Sequence, residues 1–235
     1  MSAADHPAMA PSLHLRDLTG FLAELTDNNN RAWFVMNQPR YDILRAEFLQ
    51  SVTRVIAGIT RFDPAVAGCN PKKALFRFHR DLRFASDKRP YKTTFSAAIT
   101  ASGLRRPSQA GGPMYYFQIN AEGMLTIAGG EFRPPAERLR AIRRHLVEDA
   151  AGFDKVMTNR ALRGAYGDLR RQDQLARLPK GFAADAPHAD YLRLKSFTVA
   201  RELSLLRMAP EELEPQILTG FHQVWPLVAW LRAAG

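Results

Sequence analysis

MYYFQINAEGMLTIAGG, residues 114–130, reads as a β-hairpin: Met114–Asn120 and Met124–Ala128 are its strands, and the chain turns near Ala121-Glu122-Gly123. Gly129-Gly130 ends this sheet-forming region on the C-terminal side. Upstream, Gly103–Pro113 is a loop rich in Gly, Pro and Ser. Phe95–Ala101 is a strand before it. Ala74–His79 is another, with Phe76 and Phe78 on one face and Arg77 and His79 on the other. One later strand is expected over Leu194–Leu203, where Phe197 and Val199 alternate with Ser196 and Thr198.

Helical patterns flank these strands. Leu15, Leu18, Phe21, Leu22 and Leu25 recur at helical spacing and predict an amphipathic helix over about 13–26. It stops at Thr26-Asp27-Asn28-Asn29-Asn30, a polar break that ends one helix and can cap the next. A short turn through Trp33-Phe34 is expected, then a longer helix with Pro39 in its first turn. The buried stripe of that helix is Tyr41, Leu44, Phe48, Val52, Val55, Ile56 and Ile59. Pro134-Pro135 opens another, carrying Leu139, Ile142, Leu146 and Val147 to about residue 150. From 154 to 190 the pattern is weak, with a turn at Pro179-Lys180-Gly181-Phe182. The C-terminus is helical from about 211, and Pro226 predicts a break or kink. Phe221, Trp225 and Trp230 read as core. Helices, then antiparallel strands, then helices with one late strand make an α+β fold: one domain over 13–235 with an antiparallel sheet flanked by N- and C-terminal helices. Residues 1–12 read as a disordered tail.

A hydrophobic fraction of 46% with 24% charged residues fits an ordinary globular chain with a sizeable core. The N-terminus has no basic and apolar leader, and no apolar run approaches the roughly 20 residues of a membrane helix. No membrane association is therefore expected, and cytoplasm is the default location. Cys69 is the only cysteine, which excludes an internal disulfide and a cysteine-rich zinc site. The net charge of +10 is the strongest compositional signal. Seven of the 33 basic residues are lysines and the rest are arginines, whose forks match phosphate and carboxylate. Such a balance attracts nucleic acid and other polyanions. A GC-rich genome, which raises arginine and alanine generally, is the alternative source of the total.

The charge is concentrated. PKKALFRFHRDLRFASDKRPYKTT, residues 71–94, holds eight bases against two acids, with Phe76, Phe78, Phe84 and Tyr91 threaded through it. In one reading Arg77, Arg80, Arg83, Lys88 and Lys92 converge on a phosphate or carboxylate through bidentate contacts. In the other they form a solvated face, partly paired with Asp81 and Asp87. Arginine neighbours depress a carboxylate's pKa, so Asp81 and Asp87 orient the cations rather than act as general bases. Tyr91 or Phe84 can stack on a base or pack beneath. A metal nuclease would need Asp81, Asp87 and the distant Glu131 in one place, and nothing in the spacing requires it. The six histidines are scattered, with no paired spacing, and no GxSxG nucleophile motif occurs. No metal site is predicted, and the sequence leaves any cofactor unknown.

FLAELTDNNNRAWFVMNQPRYD (21–42), PKKALFRFHRDLRFASDKRPYKT (71–93), AGGEFRPPAERLRAIR (128–143), LPKGF (178–182) and VWPLVAWL (224–231) resemble, in the same order, a bacterial and fungal family called domain of unknown function 2461. The resemblance spans about residues 15 to 232. It implies a single full-length domain in an intracellular protein and brings no established activity. It marks Arg80, Asp81, Arg83, Phe84, Asp87, Lys88, Pro90, Tyr91 and Lys92 as the family signature. A serine usually follows the phenylalanine in that pattern. Here Ala85 stands there, with Ser86 next, which puts in doubt any mechanism using that hydroxyl as a nucleophile.

The leading expectation is an anion-binding protein whose site is built by 77–92, for a phosphate-bearing ligand or nucleic acid. An enzyme acting on a small phosphorylated or carboxylated metabolite would need the segment to line a closed pocket. A module docking an acidic partner would need a flat basic surface rimmed by apolar residues. Oligomeric state, ligand identity and the presence of any reaction lie beyond the sequence.

Overall fold

In β2 (Met114–Asn120) Tyr115, Phe117 and Ile119 are fully buried while their neighbours are half-exposed, the period of two that a one-sided sheet imposes. The computed structural model describes residues 13–83, 86–101 and 112–235. β1 (Thr94–Thr100), β2, β3 (Met124–Glu131) and β4 (Phe197–Ser204) form one antiparallel sheet in the order β1-β2-β3-β4. The register runs through Phe95↔Ile119, Phe117↔Ile127 and Ile127↔Arg201. The fold is a single α+β domain. The expected disordered tail at 1–12 and most of the expected loop at 103–113 lie outside the described residues.

Helices cover one face of the sheet. Their ranges are α1 (Leu15–Asp27), α2 (Arg31–Ile59), α3 (Pro71–Ala74), α4 (Ala136–Glu148), α5 (Ala150–Met157), α6 (Arg160–Tyr166), α7 (Ala189–Leu192) and α8 (Leu213–Ala233). Phe48 of α2 and Phe221 of α8 both meet Phe117 of β2, with ring centroids 5.4 and 6.3 Å away. α1 buries the predicted stripe Leu15, Leu18, Phe21, Leu22 and Leu25. The opposite face is polar and partly open, with Tyr116, Gln118, Thr126 and Glu202 linked across the strands. No helix among the described residues is long and apolar enough to cross a membrane.

Several elements differ from the sequence reading. α2 is one helix from Arg31 to Ile59, capped by Asn30, whose side chain accepts the Trp33 N–H at 3.0 Å. Pro39 therefore lies inside the helix, and no separate turn precedes it. The lost hydrogen bond costs about 3 kcal/mol in a solvated helix, and burial of Phe34, Leu44, Phe48, Val52 and Val55 offsets it. α8 likewise runs through Pro226, so the predicted break is absent. Phe221 and Trp230 are buried, but Trp225 is 36% exposed and is not core. The helix after Pro134-Pro135 ends at Glu148, and Asp149 caps α5 by accepting the Gly152 N–H at 3.1 Å. The weakly patterned stretch holds α5 through α7. Its turn is at Lys180-Gly181, where Gly181 takes φ +89°.

Gly129 and Gly130 do not end the sheet; both lie within β3. A Cβ on Gly129 would come within 2.7 Å of Val224, so its absence lets α8 press onto the strand. Gly130 has φ +117°, and a Cβ there would lie 2.0 Å from the Phe197 carbonyl oxygen. The predicted strand over 74–79 is also absent. α3 occupies Pro71–Ala74, capped by Asn70, and an extended segment follows with isolated bridges at Leu75↔Ala97 and His79↔Tyr91.

Candidate functional site: a basic ribbon on the sheet edge

Residues 75–80 run antiparallel to 90–97, so the basic segment forms a ribbon that continues β1 beyond the sheet. Three backbone bonds hold it: Phe76 N–H to Ser96 O at 3.0 Å, Lys92 N–H to Phe78 O at 2.9 Å and Arg80 N–H to Pro90 O at 2.9 Å. Between the two bridges, four steps along one strand match six along the other. The extra residues form a bulge on the 91–97 side, and the two phenylalanines lie on opposite faces, against the sequence expectation. Phe78 is buried among Phe21, Phe34, Tyr41 and Phe95. Phe76 lies on the open face, edge-on to Tyr116 at 5.8 Å.

The base of the ribbon is anchored to the helices. Tyr91 is 4% exposed and stacks on Phe34 with ring centroids 4.1 Å apart. It packs beneath the ribbon and offers no face to a base. The Asn29 side chain bridges the Tyr91 backbone, donating to its carbonyl and accepting from its N–H, both at 3.0 Å. Sequence reasoning assigned Asn28–Asn30 to capping and missed this link, which joins positions 62 apart and leaves no local signal. Phe84 lies outside the described residues.

The carboxylates divide the cations into two groups. Asp81 takes the Arg83 guanidinium in a fork, at 3.0 and 2.7 Å, and also accepts the Arg83 backbone N–H at 3.2 Å. Asp87 repeats this with Arg89, at 3.0 and 2.7 Å, with the Arg89 N–H at 3.0 Å. Asp87 also pairs with Arg80. Both acids begin the same three-residue pattern, Asp81-Leu82-Arg83 and Asp87-Lys88-Arg89, in which an Asp folds back on the backbone two residues on. That repeat was legible, and it names Arg89, which the sequence reading left out of the site. The Arg83 fork and N–H hold the Asp81 carboxyl down at about 2. Arg89, helped by Arg80, holds Asp87 well below the carboxylate range. Both stay ionised near neutral pH, but their low proton affinity and their bonds to arginine make each a poor general base there.

Lys72, Lys73, Arg77, Lys88 and Lys92 have no carboxylate within salt-bridge distance among the described residues. Lys88 donates to the Leu82 carbonyl at 3.2 Å, which closes the tip. Lys92 is half-buried, with its Nζ 5.2 Å from the centre of the Phe76 ring. Burial, and then the nearby positive charge of Arg80, push its pKa down. Arg80 and Lys92 are thus brought together, while Arg83 is committed to Asp81. Glu131 is elsewhere: it lies at the far end of β3, fully buried against Arg138. Among the described residues no three His, Cys, Asp or Glu side chains gather as metal ligands. Two concavities of about 690 and 550 Å³ lie away from the ribbon, between α4 and the C-terminus and between α6, α8 and β4.

The model of the conserved hypothetical protein family DUF2461 matches residues 17–230. The chain belongs to this family. No curated protein and no solved structure matches it. In this DUF2461 protein the ribbon and the glycine pair of β3 fall inside the matched range, and the C-terminal helix does so as far as Trp230.

Proposed function

We propose that this DUF2461 protein binds phosphate-bearing ligands through the ribbon, with the phosphates of nucleic acid as the favoured class. One observation carries the reading: Lys92 is half-buried beside Arg80, with no carboxylate partner among the described residues. A buried cation without a counter-charge is unfavourable, and an oxyanion at that point relieves both the desolvation and the repulsion from Arg80. Arg77 and Lys88 are exposed on the same ribbon, so further phosphates of one backbone can reach them. Asp81 and Asp87 preset the guanidinium planes of Arg83, Arg80 and Arg89. Exposed cations spaced along a ribbon favour an extended polyanion over a small metabolite enclosed by walls.

The test is fluorescence anisotropy of labelled single-stranded RNA and duplex DNA across a salt series. Binding with a steep log–log salt slope is expected. Lys92→Ala, Lys88→Ala and Arg77→Ala should each reduce the duplex slope by about 0.9 with little change in melting temperature. A slope indifferent to all three variants would mean that the ribbon does not hold the phosphates.

A further inference from the structure

At the opposite edge of the sheet stands an arginine that the ribbon does not involve. Arg201 of β4 alternates with Phe197 and Val199 and so points to the helix-covered face. It lies over the Tyr166 ring, 5.5 Å from the centroid, and the Tyr166 hydroxyl donates to the Gly220 carbonyl at 2.9 Å. A Cβ on Gly220 would come within 2.9 Å of that hydroxyl and 3.2 Å of Arg201 Nη2, so the bare glycine makes room for the guanidinium. Glu202, the next residue, faces the other side of the sheet, where Thr126 reaches it. Arg201 has no salt bridge among the described residues, and its Nε is buried without a hydrogen-bond partner. Gln223, one turn beyond Gly220 on α8, has a buried Oε1 in the same unsatisfied condition. Both side chains line the concavity of about 550 Å³, with Ala161, Gly164 and Ala165 as its small walls and Arg160 at its rim.

We infer that this concavity is a second anion site, which takes a small molecule bearing a carboxylate or phosphate dianion on Arg201. A guanidinium fixed by a ring beneath it, with no carboxylate partner among the described residues, can offer its terminal Nη donors to an oxyanion in the concavity. The Gln223 amide can turn either its oxygen or its NH₂ inward, and with nitrogen inward it is a second donor. Arg160 supplies a second positive charge, and the Ala and Gly walls leave room for the body of the molecule.

Thermal unfolding with inorganic phosphate and with succinate, against chloride at matched ionic strength, tests this. Either dianion at about tenfold its Kd should raise the melting temperature by about 3–5 °C. Phosphate acting alone would indicate a phosphate ester, and succinate acting alone a carboxylate. Three variants localise the effect. Arg201→Gln should abolish the rise. Gln223→Glu places a carboxylate beside the guanidinium, so it should raise the melting temperature without added anion and abolish the response. Gly164→Leu fills the concavity from a position where a Cβ meets nothing within 4 Å, so it should fold normally and respond to neither anion. Lys92→Ala should leave the response intact, which separates this site from the ribbon. No rise beyond chloride in the unaltered protein, or a rise that survives in Gly164→Leu and Arg201→Gln, would overturn the inference.

Discussion

Glu131 and Asp81 each bind an arginine through a two-oxygen fork, and the two pairs have different consequences. Glu131 is fully buried. It accepts from Arg138 Nε and Nη2 at 3.0 Å and from the Gly112 N–H at 3.0 Å, and Arg138 continues to the carbonyls of Leu231, Ala234 and Gly235. That arrangement ties the end of β3 to the end of α8. The Asp81–Arg83 pair has side chains 60% and 78% exposed and ties a residue to its neighbour two positions on. Water screens the second pair and is excluded from the first. The same chemistry staples the fold in one place and aims a side chain in the other.

The largest effect expected from this contrast is at Glu131. Glu131→Gln keeps the shape and removes the charge, leaving Arg138 beneath the helix end without its counter-ion. The cost should be about 3–5 kcal/mol, or roughly 10 °C in melting temperature for a chain of this size. A drop no larger than that of an exposed-pair variant would erase the distinction.

A smaller effect is expected at the second buried pair. Asp63 is 3% exposed and accepts from Arg232 Nη1 and Nη2 at 2.8 Å each and from the Tyr115 hydroxyl at 2.7 Å. Burial pushes its carboxyl up, but the bonds and charge of Arg232 and the Tyr115 bond outweigh this, and its pKa falls below the ordinary value. A carboxyl depressed in the folded state contributes stability above its unfolded pKa of about 4, and that stability is lost as pH falls through the folded value. Asp63→Asn should therefore cost about 2 kcal/mol at neutral pH, since Arg232 keeps some contact with water. The difference from the parent should shrink in melting curves recorded from about pH 4 downward. A gap that stays constant with pH would mean that the carboxylate charge is not what Arg232 holds.

The staples and the ribbon were unequally legible. Alternation in Met114–Asn120 and the stripe of α1 follow directly from side-chain period, so the sheet, the first helix and the α+β order were readable. Pro39 and Pro226 misled because a proline's local penalty is visible in sequence, whereas the burial of Phe48 or Phe221 that outweighs it depends on the sheet beneath. Gly129-Gly130 read as a breaker for a similar reason: the space they leave is meaningful only once Val224 lies over Gly129 and the Phe197 backbone lies against Gly130. In the ribbon the set of cations was legible. The local pairs Asp81–Arg83 and Asp87–Arg89 were legible in the Asp-X-Arg repeat, whereas the approach of Arg80 to Lys92 and the half-burial of Lys92 depended on the folded ribbon. Asn29, pinned to Tyr91 from another element, was beyond any local pattern.

The smallest stability effect, and the sharpest discrimination, should come from the ribbon acids. If their role is to aim cations, Asp81→Asn and Asp87→Asn leave the melting temperature within error of the parent, because the side chains they release are already in contact with water. The same changes add positive charge where the polyanion docks. Asp81→Asn removes the carboxylate paired with Arg83, and Asp87→Asn removes the one shared by Arg89 and Arg80, with Arg80 adjacent to Lys92. Duplex DNA should then bind more tightly at low salt, with a log–log slope steeper by about 0.9 for each phosphate newly engaged. Asp87→Asn should show the larger change because it releases two guanidinium groups rather than one. Looser binding at every salt concentration would show instead that the preset geometry of the arginines outweighs the added charge. A fall in melting temperature matching that of Asp63→Asn would place the ribbon among the staples, and the contrast between the two regions would fail.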